Sequence, residues 1–118
     1  MRYLMFVATD PDVAPDASLE GTVPIEEWDD KHSTAGVRLI GDRVRPAQDA
    51  TTVRRRNGKL LVTDGPFAES REWIVGFDVL ECADLDEAIA VAAEHPMAAR
   101  GRLELRPFWP LAEGDSDG

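Results

Sequence analysis

Only two stretches of this 118-residue chain carry apolar residues at helical spacing, and strand-like runs stand before, between and after them. The first helix is expected over residues 24–35. Ile25, Trp28, His32 and Ala35 fall three, four and three residues apart, which gathers them on one stripe and leaves Glu26, Glu27, Asp29, Asp30 and Lys31 to water. Thr22 with Pro24 behind it marks the start, and Gly36 the end. The second helix follows Asp84, with Glu87 three residues on as in a capping box. Its stripe is Leu85, Ala88, Ile89, Ala92 and Ala93. His95-Pro96 stops it, because the residue before a proline is pushed out of helical backbone space.

The remaining regular pieces read as strands. Arg2 to Ala8 is an apolar run stopped at Asp10-Pro11, and residues 10–22 form a surface loop. Val37 to Ile40 precedes a Gly41-Asp42 turn, and residues 46–50 form a linker. Thr51 to Arg56 and Lys59 to Thr63 are joined by Asn57-Gly58, a pair that tolerates the positive φ angles of a type I′ hairpin turn. Arg54, Arg55 and Arg56 sit beside that turn, where charge guards a solvated edge strand; an anion clamp is the functional alternative. Trp73 to Leu80 and Leu103 to Trp109 complete the set, with Pro110 closing the last. This gives one domain over 1–110 and a frayed acidic tail over 111–118.

The order strand, helix, strand, hairpin, strand, helix, strand describes an α+β fold: a ferredoxin-like antiparallel sheet with both helices on one face and an inserted β-hairpin. Two helices cover one face of a sheet. The run Trp73 to Leu80 is too apolar for water to satisfy the other, so a second copy of the chain is the expected cover, giving a homodimer.

Charge narrows the partners. Thirteen Lys and Arg stand against twenty-three Asp and Glu, a formal −10, which repels a phosphate backbone and argues against nucleic acid. Cys82 is the single cysteine, set among Val79, Leu80 and Ala83 as a small buried hydrophobe, so no intrachain disulfide forms and a reducing cytoplasm is the expected compartment. No apolar run is long enough to span a membrane. Two histidines and one cysteine, widely spaced, make no recognisable metal site, and no phosphate loop, nucleophile elbow or dinucleotide fingerprint is present. The expected partner besides a second copy is a small molecule, with no cofactor.

One segment is distinctive: Leu61-Val62-Thr63-Asp64-Gly65-Pro66-Phe67-Ala68-Glu69. It resembles the DGPF signature of YCII-related proteins. The resemblance continues through Glu72-Trp73-Ile74-Val75-Gly76-Phe77, the helix start at Ala83 to Ala88, His95-Pro96-Met97-Ala98, and Glu104-Leu105-Arg106-Pro107-Phe108-Trp109. It implies a ferredoxin-like domain that pairs into a dimeric α+β barrel, with a cleft between sheet and helices in each protomer. It fixes no reaction. Some similar proteins are enzymes, including a dehydrochlorinase of a chlorinated hydroquinone for which a His/Asp pair is invoked, and DGPF-type members are often encoded beside alternative sigma factors.

The candidate residues each carry two readings. Asp64-Gly65-Pro66 is a turn by its chemistry alone, or a turn that holds the Asp64 carboxylate at a cleft mouth with Phe67 as an apolar wall. His95 caps helix carbonyls, or gives and takes a proton near neutral pH. Similar chains often have Asp-Pro where His95-Pro96 stands here. His32, on the apolar stripe of the first helix, is a satisfied core histidine or the imidazole of an Asp/His pair. Arg106, alternating with Leu103 and Leu105, is a candidate for an anionic ligand or for Asp64. The catalytic candidates are thus Asp64, His95 and His32; the ligand-binding candidates are Gly65, Pro66, Phe67 and Arg106. Two functions remain open: a cofactor-independent lyase or isomerase, and a non-enzymatic ligand-binding or accessory module linked to sigma-factor regulation.

Overall fold

A computed structural model describes residues 1–65 and 74–111. Pro66, Phe67 and Trp73 lie outside the described residues, as does all of the expected 111–118 tail beyond Leu111. The elements run β1 (Arg2–Ala8), α1 (Ile25–Thr34), β2 (Arg38–Arg43), a 3-10 turn (Ala47–Asp49), β3 (Thr51–Arg56), β4 (Lys59–Asp64), β5 (Ile74–Glu81), α2 (Leu85–Ala93), α3 (Met97–Arg100) and β6 (Arg102–Pro107). Four strands form one sheet in the order β2-β5-β1-β6, every neighbour antiparallel, while β3 and β4 pair separately. That is the ferredoxin-like plan with an inserted hairpin.

Pairing register assigns each side chain to a face, because directly opposed residues point the same way. Tyr3, Met5 and Val7 of β1 oppose Leu80, Asp78 and Gly76 of β5, and these face the helices. They bury against Trp28 of α1 and Ala88, Val91 and Ala92 of α2. Burying Met5 and Leu80 stabilises the fold by about 1.5–3 kcal/mol each. Leu4, Phe6, Phe77 and Val79 share the opposite, open face with Arg106 and Glu104.

Several local expectations shift. Gly41-Asp42 is no turn: both residues sit inside β2, paired with Asp78 and Phe77. Thr22 does not cap α1; Pro24 holds that position without a side-chain bond. Asp84 does cap α2, its Oδ1 accepting from the Glu87 amide at 2.9 Å, while the Glu87 carboxylate reaches back to the Ala83 amide. The buried face of α2 is Ala88, Val91 and Ala92, whereas Leu85 and Ile89 are exposed. The helix is apolar on nearly every side, so spacing alone could not orient it. The Asn57-Gly58 turn has positive φ at both residues, 54° and 74°, as its composition requires.

Candidate functional site

A cavity of about 550 Å³ opens between the helix-facing side of the sheet and the first turns of α1. Its walls include Asp29, Arg38, Gly41, Asp78, His95 and Met97. Asp78 projects from β5 in the phase otherwise used by Gly76 and Leu80, so its carboxylate enters the space beneath the helices. Arg38, the first residue of β2, meets it there: Nε stands 2.7 Å from Asp78 Oδ1 and 3.5 Å from Asp29 Oδ1 on α1. Gly41 makes the pairing possible. A Cβ on Gly41 would run into Asp78 Oδ1 and come within 2.7 Å of Arg38 Nη2.

Burial is the largest influence on Asp78 and holds its carboxyl above the usual carboxylate range, although the Arg38 guanidinium pulls the other way. The described residues engage Oδ1 and give Oδ2 no hydrogen bond. His95 is also buried, between α2 and α3. Its Nδ1 accepts the Met97 amide at 3.0 Å, so Nδ1 carries no proton and the neutral ring bears its hydrogen on Nε2. Burial pushes this imidazole below its ordinary pKa, outweighing the opposing field of Asp29, with Arg38 adding to the depression. Trp28 fixes the ring from the side, edge to face at 4.8 Å, while its own Nε1 donates to Val91 O at 2.9 Å.

The other candidates fall elsewhere. His32 is buried on α1, with Nε2 3.0 Å from Glu94 Oε1 at the end of α2, and is not among the cavity's lining residues. Lys31 grips the same carboxylate, chiefly through its hydrogen bond, and holds Glu94 below the usual range. Asp64 ends β4, exposed and opposite Thr51, and is likewise not among the lining residues. Gly65 has a φ of 103°; its amide donates to Ala50 O at 2.7 Å and its carbonyl accepts Thr52 Oγ1 at 2.8 Å. Of the turn chemistry read for this segment, the positive φ that glycine permits is thus met at Gly65. Arg106 lies on the open sheet face, 2.7 Å from Glu104 Oε2 and with its guanidinium carbon 6.0 Å from the Phe6 ring centre.

Of the sequence candidates, then, His95 lines the cavity. Asp78, Arg38 and Asp29 were missed. A signal existed: Asp78 is a charge in the buried phase of β5 that otherwise holds Gly76 and Leu80. Among the described residues no group of three or more His, Cys, Asp or Glu is placed to hold a metal ion, and no helix is long and apolar enough to cross a membrane.

The model of the YCII-related domain matches residues 1–112. The chain belongs to the YCII-related family. It is also 42% identical over 68 residues to an uncharacterized protein of Rhizobium meliloti (strain 1021), a match covering 56% of this chain and 55% of that protein. The chain thus spans about half the length of the curated relative it matches, and that relative's description names no activity.

Proposed function

We propose that this YCII-related chain is a cofactor-independent proton-transfer enzyme of the lyase or isomerase type, with Asp78 and His95 as its working pair. The observation that carries the reading is a buried carboxyl with a raised pKa, sharing one cavity with a neutral imidazole whose tautomer is fixed. Titratable groups pushed away from their ordinary values cluster at proton-transfer sites. The cavity volume lies within the ~300–1,000 Å³ typical of small-molecule sites.

The division of labour follows from the hydrogen bonds. Asp78 uses Oδ1 to hold Arg38, which leaves Oδ2 to take a proton from an acidic carbon. His95, with Nδ1 committed to the Met97 amide, offers Nε2–H to the oxygen on which negative charge collects. Return of the proton to a neighbouring carbon completes an isomerisation. Departure of a leaving group with its bonding pair completes an elimination. Arg38, itself paired with Asp29, holds the carboxylate in place.

The Asp/His theme of the family thus falls on Asp78 in this reading. Asp64 and His32, which line no part of the described cavity, serve as comparison sites. The test is a thermal-shift screen of small oxygenated acids, ketones and phenols, followed by incubation of each stabilising compound with the protein. Turnover lost in Asp78→Asn and His95→Gln, yet kept in Asp64→Asn and His32→Gln, is expected. A compound bound but never consumed would favour a ligand-binding or accessory module. Turnover insensitive to Asp78→Asn would overturn the assignment.

The same reading includes a homodimer formed through the open face of the four-stranded sheet. Leu4, Phe6, Phe77 and Val79 support it, as an apolar strip across the two central strands of that face.

A further inference from the structure

The inserted hairpin is unlike the rest of the molecule. Among the described residues β3 and β4 form a two-stranded ribbon of their own, joined to no strand of the main sheet. An isolated ribbon of this kind is marginal in water and ordinarily needs a surface to lie on. Its register separates two faces. Val53, Val62 and Leu60 share one with Arg55, while Arg54, Arg56 and Lys59 share the other with Leu61. On the first face Val53 is 61%, Leu60 56% and Val62 56% exposed. Charge that guards a strand edge explains the arginines but not this apolar strip.

The rest of the chain has the complementary character. Residues 51–64 hold four of the thirteen Lys and Arg and only one of the twenty-three Asp and Glu. Residues 10–30, the loop after β1 and the first part of α1, hold eight Asp and Glu and no Lys or Arg. The same segment exposes Val13, Leu19 and Ile25. One segment is apolar and basic and the other apolar and acidic, with Asp10 of the latter 4.0 Å from Arg102 and Asp29 3.5 Å from Arg38.

We propose that the β3–β4 ribbon is a docking arm whose apolar face lies on residues 10–30 of a second copy of this chain. Val53, Leu60 and Val62 cover Val13, Leu19 and Ile25. The long basic side chains reach past the apolar contact to the acids beside it, as their flexible stems allow. A second copy is the natural occupant because it presents this acidic surface wherever the chain itself is present, and opposite fields steer the encounter. The contact is separate from pairing through the open sheet face. Glu26 and Asp29 belong both to the acidic segment and to the cavity wall, so a docked arm would border the mouth of its partner's cavity.

The experiment places a photo-crosslinking side chain on the arm (Leu60→p-benzoylphenylalanine) and mixes this protein with isotopically heavy wild-type chain. Crosslinks from Leu60 to residues 10–30 of the heavy chain are expected, falling at least fivefold in 0.5 M salt and in an Arg55→Glu, Arg56→Glu, Lys59→Glu variant. A heavy chain carrying Glu20→Lys, Glu27→Lys and Asp30→Lys should restore crosslinking to that variant. Crosslinks confined to the same chain, directed to another segment, or indifferent to both charge reversals would overturn the proposal. So would capture of the arm by an added single-stranded oligonucleotide in place of the second copy. Phe6→Asp separates the two contacts: it should abolish open-face pairing and leave the Leu60 crosslinks in place.

Discussion

Arg38 Nε lies 2.7 Å from Asp78 Oδ1, in a space kept open by the missing side chain of Gly41. Gly41→Ala puts a methyl where the carboxylate oxygen stands, so Asp78 must rotate or β2 must move. Overpacking of this kind costs about 1–3 kcal/mol. Chemical denaturation should show that loss, and a crystal structure of the variant should show the Asp78–Arg38 contact broken. Unchanged stability with the contact intact would mean that the strand accommodates a side chain there without cost.

Asp78 gives the protein a characteristic response to pH. A carboxyl whose folded pKa lies above its ordinary value of 3.8 favours the folded state most when protonated. Its contribution is full below 3.8 and is lost as pH rises through the folded pKa. Asp78→Asn removes that dependence. The stability of wild type relative to Asp78→Asn should therefore fall as pH climbs from about 3.8 towards neutrality. At neutral pH Arg38→Ala, which leaves the buried carboxylate unpaired, should cost about 3–5 kcal/mol. Denaturation curves at several pH values measure both.

His95 runs with the opposite sign. A base whose folded pKa is depressed contributes stability that is complete above its ordinary value of 6.5 and is lost as pH falls towards the folded pKa. Nitrogen-15 spectra at pH 7 should show a neutral ring protonated on Nε2, and the titration should centre below 6.5. A charged ring at neutral pH, or a proton on Nδ1, would contradict the Met97 contact. His95→Phe should flatten the acid side of the stability curve.

The sequence made the frame legible because each signal it used was local. Asn57-Gly58 demanded positive φ, Asp84 with Glu87 demanded a helix start, and His95-Pro96 demanded a helix end; each is met where its residues stand. Gly41-Asp42 misled because a glycine beside an acid has turn chemistry, and only the arrival of Asp78 from β5 explains why a glycine is needed inside a strand. The cavity was hidden for the same reason. Asp29, Arg38, Asp78 and His95 come from four separate parts of the chain, and their proximity is a property of the β2-β5-β1-β6 order rather than of any spacing. The conspicuous motif, Asp64 and its neighbours, announces a family and a turn, whereas the titratable groups of the cavity carry no motif at all.

Cys82 offers a check on the core that does not depend on function. Its side chain is buried where β5 ends, its amide donating to Met1 O, and burial above all, with Glu87 assisting, pushes the thiol from 9.0 up to about 11. Only the thiolate reacts readily with disulfide or alkylating reagents, and here it is both scarce and shielded. Native protein at pH 8 should react with a disulfide reagent far more slowly than denatured protein, by at least a hundredfold. The rate should follow unfolding as denaturant is added. Trp28→Ala, which removes the largest fully buried side chain among the described residues, should cost about 3–5 kcal/mol and raise the thiol's reactivity in step with the unfolded population. Fast labelling of the intact wild type would show that the end of β5 opens on its own, independently of the core around Trp28.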